Sequence, residues 1–342
     1  MATIFRDYVA EAQFILKSYP IKPNIIKQTQ YDSKKAVWFV KTNENSYALK
    51  RYTLTKEKWS NIISAYYFLF QKGFNIAPLI VTNSFKPWIV SDNNFYILTN
   101  WVKGDLPNFE NIDDILKITK SIANLHLYSK EYTPQTREYK DNNIELKRKQ
   151  GLLLEYKYEA ENQKNDEFSL LYLKHFEYFF ESWENTSQNF NKSAYKKLIK
   201  NLDTMPCLCL NSFAPLNFSL DTSENIWILH LDKIHIDLPV LDLRQFIFKI
   251  MYTNDCWDKK VLSQIMKKYL EIYPLTEEEL NLLLIDLQIP HLFFNISTRY
   301  FLFPASKTTQ ATLTKILHKA IKLEKEKKLV LKDFWELIKT SD

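Results

Sequence analysis

Leu210-Asn211-Ser212-Phe213-Ala214-Pro215-Leu216-Asn217 and, beyond a turn at Asp221 to Asn225, Ile228-Leu229-His230-Leu231-Asp232 form the stretch on which the fold is decided. Apolar runs too short for helices flank a polar loop and an Asx-rich turn, the pattern of a small hairpin group. Asp237-Leu238-Pro239-Val240-Leu241-Asp242-Leu243 follows at once and opens a helical run. Far upstream, Tyr47-Ala48-Leu49-Lys50 places a lysine on a strand ahead of the helix expected over Lys56 to Lys72. A lysine on a strand, an acceptor loop closed by an asparagine, and a strand ending near an aspartate make the skeleton of a phosphotransfer site. Taken alone, a lysine at a strand end is more often a solvated edge charge than a phosphate ligand.

Outward from these two anchors, element types separate along the chain. Ile25 to Gln30, Ala36 to Thr42, Ser46 to Thr53, Trp88 to Ser91 and Asn94 to Thr99 are rich in β-branched and aromatic residues and read as five strands. Thr42-Asn43-Glu44-Asn45 and Asp92-Asn93 are their turns. A first helix is expected from Ile4 to Ser18, and Gly73 is the natural stop of the Lys56 to Lys72 helix. After Trp101-Val102-Lys103-Gly104-Asp105 the character becomes helical: Ile112 to Ser129, Glu145 to Asn162, Phe168 to Thr186, Ser193 to Asp203, then 241–252, 257–272, 276–287, 290–302 and 308–328, the last extending through Phe334 and Trp335. Strand-rich followed by helix-rich argues an α+β chain in two lobes. The reading divides it into a β-rich N-terminal lobe, 1–100, and a mainly helical C-terminal lobe, 101–342, that carries a short hairpin at 204–232.

Composition removes several classes. Glycine occurs only at Gly73, Gly104 and Gly151, where average usage would give roughly 24. Glycine-based phosphate loops of the Walker and Rossmann kinds are therefore absent. Lys plus Arg (46) against Asp plus Glu (40) leaves +6, a weak basis for nucleic acid, and none is expected as a partner. The dense run Lys319 to Lys328 includes Glu324 and Glu326 and reads as a solvated helix face. No apolar run reaches the ~18 residues of a membrane span, and MATIFRDYVAEAQ lacks the basic start and apolar stretch of a secretory signal. Cys207 and Cys209 share a face if they lie on a strand, but no further zinc ligands have suitable spacing, so buried free thiols are expected.

At this level the chain resembles the spore-coat proteins of the CotS type, a group that includes CotI and YutH. The resemblance rests on Ala48-Leu49-Lys50; Gly73-Phe74-Asn75-Ile76-Ala77-Pro78; Tyr96 to Gly104; Ile122-Ala123-Asn124-Leu125-His126; Ser193-Ala194-Tyr195; Trp227 to Leu243; Pro274 to Glu279; Ile289-Pro290-His291; and Arg299-Tyr300. It covers essentially the whole chain. It implies the two-lobed protein-kinase-like fold of aminoglycoside phosphotransferases and choline kinases. It further implies a place in the spore coat among other coat proteins, with synthesis in the mother-cell cytoplasm.

The departures from the family pattern carry the functional expectation. Active relatives have a loop resembling His-Gly-Asp-x-x-x-x-Asn, whose Asp accepts the proton of the attacking hydroxyl. Here those positions hold Leu210, Asn211 and Ser212, and only Asn217 matches. The following motif resembles Ile-Asp-Phe-Asp, and its magnesium-chelating position holds His230. A serine hydroxyl is no carboxylate base, and imidazole is a poor magnesium ligand. The strand and hairpin over 25–48, which would cover the phosphates, contain no glycine. Catalytic residues are therefore not expected, Ser212 and His230 marking degenerate positions. Lys50, Trp101, Asn217 and Asp232 are vestiges of a nucleotide site, and no metal or cofactor is expected. ATP and Mg²⁺ enter only if Asp232, two residues beyond His230, rescues metal binding with Asn217, or if nucleotide is kept as a structural ligand. His230, His235 and Asp232 together suggest a transition-metal site only by common spacing. His126 is read as a core histidine, and Asp242 as the family aspartate that bonds the loop backbone and caps the next helix.

Overall fold

Alternating side chains on three neighbouring strands decide the N-terminal half. The computed structural model describes residues 8–31, 34–134, 141–163, 166–303 and 307–339. Its N-terminal elements are α1 (Tyr8–Leu16), β1 (Ile25–Tyr31), β2 (Lys35–Lys41), β3 (Ser46–Tyr52), α2 (Lys56–Gln71), β4 (Leu79–Ile80), β5 (Ile89–Ser91) and β6 (Asn94–Asn100). The antiparallel sheet runs β1-β2-β3-β6-β4, with β5 also on β6. It has one strand more than the sequence suggested, since two-residue β4 is too short for a periodic signal. The expected helix residues 4–7 lie outside the described residues.

Register explains the two faces of this sheet. Trp38 opposes Leu49, and Leu49 opposes Leu98. With Ala36, Val40 and Tyr96 these form one core under Ala12, Ile15 and Leu16 of α1. The other face gathers Tyr52, Phe95 and Ile97 against Trp59 and Ile63 of α2. Val37 opposes Lys50, and Lys50 opposes Ile97. Lys50 therefore sits mid-sheet on the α2 face, and Lys35, two residues from Val37, lies diagonal to it on that face. Lys50 is thus no solvated edge charge: it is buried.

Local chemistry fixes the turns. Asp92 and Asn93 both have positive φ, 49° and 59°, as a tight primed hairpin requires. Thr55 caps α2 by accepting from Lys58 N, and Gly73 follows its end with φ 77°.

By internal contacts the chain divides into two units, one of Met1–Pro107, Tyr132–Thr136 and Ala214–His235, the other of Asn108–Glu131, Arg137–Phe213 and Ile236–Asp342. The hairpin read as part of the C-terminal lobe therefore groups largely with the first unit. Backbone bonds explain this. The Asp105 and Leu220 peptides exchange bonds of 2.9 and 2.8 Å, and Ile228 N donates to Asn75 O at 2.9 Å. A Cβ at Gly104 would strike the Leu220 carbonyl, so close backbone approach is what this glycine serves.

The second unit holds α3 (Ile112–Ser129), α4 (Asn142–Asn162), α5 (Glu167–Lys192), α6 (Tyr195–Asn201), β7 (Leu208–Cys209), α7 (Pro239–Thr253), α8 (Lys259–Leu270), α9 (Glu277–Gln288), α10 (His291–Leu302), α11 (Lys307–Val330) and α12 (Phe334–Lys339); β8 (Phe218–Leu220) and β9 (Ile226–Ile228) belong to the first. Asn111 caps α3, and a capping box of Thr276 and Glu279 starts α9. Phe168 stacks on Tyr300, and Phe179 on Phe293, locking α5 to α10. A short 3₁₀ turn, Leu331–Asp333, separates α11 from α12, so the last helix is not continuous through Trp335.

The run Lys319 to Lys328 is not simply a solvated face. Glu324 and Lys327 are buried as an ion pair. Glu324 accepts from Leu292 N at 2.8 Å and Lys327 donates to Ile289 O at 2.8 Å. One turn of α11 thereby satisfies the end of α9 and the start of α10. Among the described residues no single helix is long and apolar enough to cross a membrane. Only α9 and α10 taken together pass that test, and they bend by 44°.

Candidate functional site

The register that sets Lys35 and Lys50 on one face also assembles a polar cluster in the first unit. Lys50 Nζ donates to the Leu229 carbonyl at 2.6 Å. Lys35 Nζ reaches Asp232 Oδ1 at 3.0 Å, both side chains largely shielded from solvent. Burial first, and then repulsion from Lys35, pull the Lys50 pKa down to about 7, against a smaller opposing pull from Asp232. His230 lies between Leu229 and Asp232 in sequence; its Nδ1 is buried and has no hydrogen-bond partner among the described residues. Burial, Lys50 and Lys35 hold its pKa well below 6.5, so the ring is neutral at physiological pH. The cluster thus contains two lysines, a neutral imidazole and a single carboxylate already engaged by one of the lysines.

Asn217 is also buried, and its carbonyl accepts from Leu229 N at 2.8 Å, so it fixes the backbone of the strand that carries the cluster. Trp101 packs edge-on against Phe39 at 4.9 Å and donates its backbone N–H to Ser46 O.

In the second unit the loop before Ser212 is held by a different network. Both Asp242 oxygens accept backbone N–H groups, from Leu210 at 2.9 Å and Asn211 at 2.8 Å. Oδ2 also meets His126 Nε2 at 3.1 Å, and His126 Nδ1 lies 2.6 Å from the Tyr269 hydroxyl. Burial alone lowers the His126 pKa, but Asp242 and Cys209 outweigh it and raise the pKa to about 9. The core reading of His126 agrees with its full burial. Asp242 bonds the loop as the resemblance implied, yet it does not cap α7: it lies inside the first turn, and the N-cap, Leu238, has no side-chain bond.

Asn211, which the resemblance aligned with a glycine, has a φ of 52°, the left-handed region glycine favours. Asparagine tolerates that region, and here its side chain is tied down, donating to Cys209 O at 3.1 Å and accepting from Gln245 at 2.9 Å. The loop thus takes a left-handed turn without a glycine. Ser212 follows at intermediate exposure.

Two features escaped the sequence reading. Lys35 is the counter-charge of Asp232; strand pairing would have exposed it, since it lies diagonal to Lys50. Cys207 and Cys209 are buried as expected, and His126 joins them, the three ligand atoms lying within 4.8 Å of one another. Its nitrogens are already engaged by Tyr269 and Asp242.

The fold defined by these units is that of the aminoglycoside phosphotransferases. An aminoglycoside phosphotransferase from Alicyclobacillus acidocaldarius superposes with a TM-score of 0.81 at 15% identity, covering 95% of this chain and 96% of that one. A spectinomycin phosphotransferase solved with ADP and spectinomycin gives 0.69 at 14% identity, covering 96% and 98%. Spore coat protein S of Bacillus subtilis (strain 168) is 26% identical over 330 residues, covering 95% of this chain and 94% of that protein. The family described as "Spore coat putative kinase YutH" matches residues 12–334. The chain belongs to that family.

Proposed function

We propose that the chain is a catalytically inactive, kinase-like component of the bacterial spore coat that works through contacts with other coat proteins. The observation that carries this reading is the Lys35–Asp232 ion pair beside His230. Magnesium requires hard oxygen donors. The chelating position offers imidazole, and the nearby carboxylate faces an ammonium whose charge opposes a second cation. The donor set does not fit magnesium, and Ser212 supplies no carboxylate base. The spore-coat name of its relative supports the location; synthesis in the mother cell, and neither nucleic acid nor membrane as partner, belong to the same proposal.

The test is phosphotransfer and ATP hydrolysis with magnesium or manganese, beside the coat protein profile of spores lacking the chain. Turnover that falls on replacing Lys50 or Asp232 would overturn the inactive reading. An unchanged coat profile would overturn the assembly role.

A second reading, a pseudokinase that keeps nucleotide as a structural ligand, is favoured by one feature: among the described residues, buried Lys50 has no carboxylate of its own. Phosphate arriving there would draw a proton onto the amine, so binding enthalpy at pH 8 would depend on the buffer's ionisation heat. A thermal shift with ATP and no turnover selects this reading; no shift at millimolar ATP removes it.

A further inference from the structure

Helices α5 and α11 leave between them, in the second unit, a pocket of about 290 Å³. That is at the lower end of small-molecule sites, roughly 300–1,000 Å³. From α5 come Ser182, Asn185, Thr186 and Asn189, spaced so that they form one polar stripe. Opposite stand Lys327 and Lys328 of α11 and Lys332 of the turn beyond it, with Gln288 at the end of α9. The apolar wall is Phe179, Pro290 and Leu331.

Two of the lining charges are buried. Lys327 is 2% exposed and Glu324 3%, and their ion pair also holds the α9–α10 corner. Three lysines against one glutamate leave the lining with two positive charges in excess. Lys328 lies over the Tyr178 ring at 5.3 Å. Among the described residues, Lys328 and Lys332 have no carboxylate partner, and the side chains of Asn185, Asn189 and Gln288 make no hydrogen bond within the chain. A concave set of free amides and ammonium groups beside an apolar wall suits a ligand with a negative charge, several hydroxyls and a C–H face.

We propose that this pocket binds a small hydroxylated anion of the size of a hexose phosphate or sugar acid. Lys328 and Lys332 take the charge, Asn185, Asn189 and Gln288 take the hydroxyls, and the ring lies on Phe179 and Leu331. The site shares no residue with the Lys50–Asp232 cluster and stands whether or not the coat reading does.

Calorimetric titration of the full chain with glucose 6-phosphate, glucuronate, glucose and inorganic phosphate tests it. The two anionic sugars are expected to bind at least about tenfold more tightly than glucose or phosphate. The double change Lys328→Glu with Lys332→Glu weakens them about tenfold or more while leaving the melting temperature unchanged, both side chains being exposed. Asn185→Ala with Asn189→Ala weakens them severalfold. Failure of both anionic sugars to bind wild type at about 10 mM, or undiminished binding after charge reversal, overturns the site. Phosphate binding as tightly as glucose 6-phosphate overturns the role given to the amides.

Discussion

The Lys50–Asp232 cluster and the Asp242 network differ in what each has kept. Around Asp242 one carboxylate accepts two backbone N–H groups, beside a left-handed Asn211 and a buried histidine. Around Lys50 a second lysine, Lys35, pairs with the nearby carboxylate of Asp232. The two sets of groups answer to different constraints. Asp242 satisfies buried backbone groups, which remain costly to leave unpaired whatever the protein does. Lys50 bonds one backbone carbonyl, and Lys35 and Asp232 bond each other, so fewer backbone groups depend on this cluster.

The largest expected effect tests that contrast directly. Asp242→Ala strands two N–H groups and a buried imidazolium, and urea unfolding should show a loss of about 3–5 kcal/mol. A loss below about 1 kcal/mol would mean the network is not structural. Lys50→Met should do the reverse, stabilising the chain by about 1–3 kcal/mol at pH 6.

The two networks should also respond oppositely to pH. Lys50 has its pKa depressed from 10.5 to about 7, so between these values the unfolded chain binds more protons and the burial penalty fades as pH rises. The advantage of Lys50→Met should therefore shrink from pH 7 to pH 9. His126 has its pKa raised from 6.5 to about 9, so its contribution is full below 6.5 and is lost as pH rises through 9. The deficit of His126→Gln should narrow over the same interval. Denaturation curves at three pH values check both, and parallel pH profiles for wild type and variants would erase the distinction.

The smallest effects lie at Asn211. Replacement by glycine trades two side-chain bonds for an easier backbone and should fall within about 1 kcal/mol of wild type. Valine, which resists positive φ, should cost about 1–2 kcal/mol more than glycine. Equal stabilities for the two would show that the loop can abandon its left-handed turn.

Much of this was legible in the sequence where local chemistry decides. The end of α2 follows from Gly73 and its length from an apolar stripe, and the Asp92-Asn93 turn from Asx tolerance of positive φ. Ser212 and His230 stand out only because the family patterns His-Gly-Asp-x-x-x-x-Asn and Ile-Asp-Phe-Asp align on Asn217 and Asp232. What depended on pairing between distant segments was not legible. Lys35 meets Asp232 across 197 positions of sequence, and α11 places a charged pair inside the protein to serve the α9–α10 corner. A charge run alone does not reveal which of its members has a buried backbone group to satisfy.

The discontinuity of the first unit has a consequence for synthesis on the ribosome. When Pro107 has been made, the sheet is complete but Asn75 and Asp105 still await Ile226, Ile228 and Leu220. More than a hundred residues, including all of α3 to α6, must be translated before those partners arrive. The nascent chain therefore carries an unfinished sheet-bearing segment through most of its elongation. A fragment ending at Pro107 should bind chaperones or aggregate, whereas nascent chains extending past His235 and beyond the exit tunnel should resist proteolysis in this segment.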